Sequence, residues 1–120
     1  MERGAIMAKP LVYKGLTLVT TVKSVQEMNK FEERVLGIQQ ELEQDQSLIF
    51  ESINKTREEQ LKFLRAITLK PEAVDEIDIR DLQEIVSVIE LLLMGFDKKQ
   101  AEAMYKESLK AQAEEENPKA

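Results

Sequence analysis

Cysteine and histidine are both absent from the 120-residue chain. Their absence removes the thiolate and imidazole ligands on which zinc and iron–sulfur sites depend. It also removes the commonest general base of enzyme active sites. Without cysteine there is no disulfide framework, which fits a reducing compartment, and a cytoplasmic location is expected. Glycine is scarce and scattered at positions 4, 15, 37 and 95, so no glycine-rich phosphate loop exists. Long apolar runs are missing as well. The longest, Ile85 to Met94, is interrupted by Ser87 and Glu90 and reaches half of what a membrane span needs. The N-terminal MERGAIMAKP is too short and polar for a signal peptide.

Charge is lopsided. The net charge is −6 and the pI about 4.8, a sign that repels phosphate backbones. No basic face offsets it. Lys98, Lys99, Lys106 and Lys110 are interleaved with Glu102, Glu107 and Glu114. Neither nucleic acid nor membrane is therefore an expected partner. The acids themselves do not read as chemistry. Asp75, Glu76, Asp78 and Asp81 lack the spacing and turn glycine of a calcium loop and sit where the start of a helix favours negative charge. Paired acids such as Glu58 and Glu59 have no apolar pocket to separate their pKa values. No catalytic, metal or cofactor residue is assigned, and the chain is read as a non-enzyme.

What remains is a pattern of helices behind one hairpin. Leu11 to Ser24 holds the β signal: two short strands around Lys14-Gly15, where glycine tolerates positive φ. The second strand alternates, with Leu16, Leu18, Thr20 and Val22 on one side and Thr17, Val19 and Thr21 on the other. Ser24 and Glu27 form a capping box. They lead a helix to about Glu43 with Val25, Met28, Phe31, Val35, Ile38 and Leu42 in one stripe. Ser47 opens further helix, and Thr56 with Glu59 forms a second box. Residues 47–69 therefore fit one kinked helix or two. Leu61, Phe63, Leu64 and Ile67 are their core, and Lys70-Pro71 is the stop. Asp78 is read as the cap of a helix from Ile79 to Met94, closed by Gly95. Asp97 and Gln100 start a last helix to about Ala113.

The expected fold is mainly α, a small domain of four to five helices with an N-terminal β-hairpin. Residues 1–9 are expected to be disordered, 10–113 to form the single domain, and 114–120 to be a disordered charged tail. In the helix from Ile79, the core face holds Leu82, Ile85, Val86, Ile89, Leu92 and Leu93, while Leu91 and Met94 fall among polar residues. Two readings follow. Either the last helix folds back over them with Ala101, Met104, Tyr105 and Leu109, or Leu91, Met94 and Phe96, with Met104 and Tyr105, form a subunit or partner contact. Methionine suits adaptable apolar surfaces. The hairpin poses the same choice, since two strands alone are marginal in water. Its Thr17, Val19 and Thr21 side, or its open edge, is a second candidate contact.

The order of elements resembles a known family. The hairpin YKGLTLVTTV runs straight into the helix KSVQEMNKFEERV. DEIDIRDLQEIVSVIELLLMGF and DKKQAEAMYKESL follow in the second half. This is similar to the tail assembly chaperones of long-tailed bacteriophages, over roughly residues 10–110. The resemblance implies an oligomeric protein without cofactor. Such a protein coats the tape-measure protein in the host cytoplasm, recruits tail tube protein and then leaves. It also implies that a longer frameshifted form is common. The alternatives are a small structural component of a phage particle and a bacterial helical adaptor or regulatory module.

Overall fold

The strands come first. In the computed structural model, which describes residues 11–116, β1 (Leu11–Tyr13) and β2 (Leu16–Leu18) pair antiparallel, Leu11 opposite Leu18 and Tyr13 opposite Leu16. The expected segment 1–9 and residues 117–120 lie outside the described residues. Lys14 and Gly15 both take positive φ, +48° and +85°, as a two-residue hairpin turn matched to strand twist requires. Leu16 and Leu18 are buried as the alternation demands. Val22 is not: it is 74% exposed. Strand periodicity stops at Leu18, and Val22 already belongs to helix α1 (Val22–Gln44).

That early start corrects the expected cap. Thr21, not Ser24, is the N-cap of α1, and Ser24 is its reciprocal partner. The Thr21 hydroxyl accepts from the Ser24 N–H at 3.3 Å, and the Ser24 hydroxyl accepts from the Thr21 N–H at 3.3 Å. The sequence holds two overlapping boxes, Thr21/Ser24 and Ser24/Glu27. The earlier one wins because the buried Ser24 hydroxyl also donates to the Val19 carbonyl and ties strand end to helix start. Thr21→Ala is therefore expected to cost about 0.5–2 kcal/mol, read from the urea midpoint. Glu27→Ala should stay within about 0.5 kcal/mol. Equal losses would place the cap at the later box.

Helix α2 (Ile49–Ile67) is one continuous helix, so Thr56 and Glu59 sit inside it rather than at a start. A short 3-10 turn, Gln46–Leu48, precedes it. Asp45, not Ser47, is the cap there, accepting from the Ser47 N–H and hydroxyl. Helices α1 and α2 form an antiparallel hairpin whose Phe31 and Phe63 rings stack at 4.9 Å. The helix ends at Ile67, three residues before Lys70, because the chain there becomes extended and joins the sheet edge. The Val19 N–H donates to the Ile67 carbonyl at 2.7 Å and the Leu69 N–H to the Thr17 carbonyl at 2.8 Å.

Two 3-10 turns, Pro71–Glu76 and Ile79–Asp81, lead into α3 (Leu82–Leu93). Asp78 caps the second turn rather than the helix, accepting from the Arg80 N–H, and Ile79, read as the first residue of the helix, lies exposed in that turn. Leu82, Ile85, Val86, Ile89 and Leu92 are buried as expected, and Leu93 is half-buried. Val88, outside the expected stripe, is also fully buried. Helix α3 is covered on more than one side. One turn before Val88, the buried Tyr13 ring brings its hydroxyl within 3.5 Å of Glu84 Oε2. Burial first, and then the Glu84 charge, push the Tyr13 pKa up to about 12.

The end of α3 is a Schellman motif. Gly95 has φ +107°, its N–H donates to the Leu92 carbonyl, and the Phe96 N–H reaches back to Leu91. Helix α4 (Lys98–Glu116) starts with the expected Asp97/Gln100 box, both bonds present at 2.8 and 3.1 Å. It runs three residues past Ala113, so the expected boundary at 113–114 falls inside the helix. The fold is mainly α with an N-terminal hairpin. It is also elongated, 57 × 30 × 24 Å with a radius of gyration of 16.1 Å, against about 14 Å for a compact chain of this length.

Candidate partner-binding groove

Helix α4 covers Leu91 and Met94 only in part. Helix α4 does fold back on α3, and Ala101 is fully buried at the contact. With 19 residues against 12, however, α4 outruns α3. It leaves an open groove of about 370 Å³ between α1, α3 and α4. Leu91, Met94, Met104, Tyr105 and Leu109 supply its apolar walls. Leu91 is half-buried against the core, while Met94 remains 61% exposed. A charge at Met94 is thus tolerable to the fold in a way that one at Leu91 is not.

The polar part of the groove was invisible to helix-by-helix reading. Glu32 of α1 and Glu90 of α3 line it together. Glu90 is half-buried, and its pKa is pushed up to about 8, first by burial and then by hydrogen bonding to and repulsion from Glu32. Beside them Gln83 accepts from Gln60 of α2 at 2.9 Å and donates to Ser87 at 3.1 Å, an amide chain along the floor. The one sequence signal for Glu90 was its place on the same arc of α3 as Leu91 and Met94. Nothing local pointed to Glu32.

The other predicted contact residues are placed elsewhere. Phe96 is half-buried in the α3 cap and does not line the groove. Thr17 and Val19 are half-buried, and their strand edge is occupied by residues 67–69. Thr21 is committed to the α1 cap. Among the described residues the strand edge left unpaired is that of β1, where Lys98 Nζ donates to the Val12 carbonyl at 3.1 Å. The hairpin is thus part of the core rather than a waiting template. A second apolar surface was missed. At the tip of the α1–α2 hairpin Phe50 is 78% exposed, next to Ile49 and Ile53.

In the acidic segment between α2 and α3, Asp75 pairs with Arg65 and Asp78 with Arg80, each at 2.7 Å. No helix among the described residues is long and apolar enough to cross a membrane. No protein-family model, curated protein or solved structure matches the chain.

Proposed function

We propose that this chain is a phage tail assembly chaperone that holds apolar helical stretches of the tape-measure protein in the groove between α1, α3 and α4. In this reading it keeps the tape-measure chain soluble and helps recruit tail tube subunits during tail morphogenesis. The groove carries the proposal. Its walls carry Leu91, Met94, Met104, Tyr105 and Leu109, it is open to solvent, and the chain that forms it is acidic. A long helical client with exposed apolar stripes needs such a surface, and weak contacts repeated by many copies would hold it. The identity of the client comes from the family resemblance of the sequence.

Co-expression with overlapping tape-measure fragments tests this directly. Wild type is expected to retain at least one fragment in the soluble fraction and to co-elute with it. Met94→Glu should weaken that complex by about tenfold or more, as loss of a central apolar contact does, while the far-ultraviolet circular dichroism stays unchanged. If wild type neither binds nor solubilises any fragment, the chaperone reading fails. Light scattering over a concentration series should show growth beyond monomer.

A further inference from the structure

The groove does not end at Glu32 and Glu90. Those two residues and Gln83 also line a second depression, between α1, α2 and α3. A third depression, toward the tip of the α1–α2 hairpin, adjoins the second at Gln39, Thr56, Gln60 and Gln83. On α1 the lining residues recur as Glu32, Val35, Leu36, Gln39 and Leu42. Spacings of three and four put them in one stripe. From Glu32 to Leu42 this stripe alone measures about 15 Å, roughly three turns of helix. Each depression shares lining residues with the next, and together they are called the trench.

We propose that the trench docks an amphipathic helix of the partner protein whose apolar face carries a lysine or arginine, and that this cation sits between Glu32 and Glu90. The inference rests on the groove being the partner site. Charge complementarity selects the occupant. Several other acids have cations beside them: Glu84 has Lys14 at 3.8 Å, Glu51 has Lys55 at 3.2 Å, and Asp75 and Asp78 have their arginines. Among the described residues no lysine or arginine lines the first two depressions, where Glu32 and Glu90 meet. The groups facing them are uncharged: Thr56 and Gln60 from α2, Gln83 and Ser87 from α3, and the Tyr105 phenol from α4.

A cation between the half-buried Glu90 and the exposed Glu32 carboxylate makes charge-assisted hydrogen bonds, the stronger kind. It also removes the reason for Glu90 to hold a proton. In the free protein that proton is bound up to a pH of about 8, so docking releases it, and affinity rises with pH until about 8 and then levels.

The probe is a displayed library of amphipathic helices of about four turns, with one randomised position at the centre of the apolar face, panned on the full-length protein above pH 8. Wild type is expected to enrich lysine or arginine there over glutamine or norleucine by about tenfold or more. The Glu32→Gln, Glu90→Gln double variant should lose this preference, and selected peptides should bind wild type more weakly as pH falls toward about 6. Binders that Met94→Glu weakens but that show no cation preference, or keep it in the double variant, overturn the cation site and leave the groove standing. An absence of binders, or binders indifferent to Met94→Glu, overturns the groove reading and this inference with it.

Discussion

Leu18→Ala is expected to lower the unfolding free energy by about 2–5 kcal/mol, the usual loss for a fully buried leucine. The whole domain is worth roughly 6–18 kcal/mol, so the shift in urea midpoint will be large. Leu18 is 1% exposed and belongs to the same buried cluster as Leu64, Ile67 and Ile89. Its strand is held from both sides. β1 pairs along one edge, and residues 67–69 pair along the other through the Val19–Ile67 and Leu69–Thr17 bonds. Removing the side chain leaves a cavity that neither rigid neighbour can easily close. Val12→Thr is the control. Val12 points to solvent from β1, and its replacement should stay within about 0.5 kcal/mol. A loss below about 1 kcal/mol for Leu18→Ala would mean that the hairpin is an appendage rather than part of the core.

Glu90→Gln is expected to stabilise the protein, and the gain should depend on pH. The folded-state pKa of Glu90 is raised to about 8 from the ordinary carboxylate value of 4.5. Between these values the folded chain binds the proton more strongly than the unfolded chain does. Stability therefore falls as pH climbs through that window and is level above it. Glutamine keeps the shape and hydrogen bonding of the protonated acid without the charge. Wild type and variant should be close near the acid end of the window. The variant should lead at its alkaline end by on the order of 1–2 kcal/mol, after allowance for the solvent that still reaches this half-buried group. Asp45 and Asp78 act with the opposite sign, since hydrogen bonds from Ser47 and Arg80 hold their pKa values below the usual range. The difference between the two proteins cancels those contributions. Denaturation at several pH values reads it, and a difference that stays constant with pH would show that Glu90 is not held protonated by its surroundings.

These two residues also mark where sequence reading succeeds and stops. Leu18 was legible. Strand alternation put it beside Leu16 on the inner face, and both are buried. Glu90 was legible only as a polar residue of a helix. Its meaning depends on Glu32, on another helix far back in the chain. Leu91 and Met94 were singled out by their misfit on a helical wheel and Met104 and Tyr105 as the last helix's residues nearest to them, and all four meet in one groove. Phe96, named beside them, and Thr17, Val19 and Thr21, named from strand alternation, do not, because a helix cap, a third extended segment and an N-cap claim them.

The sequence by itself determined the local pieces: the Lys14-Gly15 turn, the Asp97/Gln100 box, the Gly95 stop, and the apolar stripes of α1, α2 and α3. Each of these rests on backbone geometry and side-chain spacing within a few residues, which a linear reading can count. Only the tertiary structure decided which of two overlapping boxes opens α1, that residues 67–69 close the sheet edge, and that α1, α3 and α4 enclose a groove lined by Glu32 and Glu90. Those outcomes depend on which faces bury the most area together across distant elements, and no single segment carries that comparison.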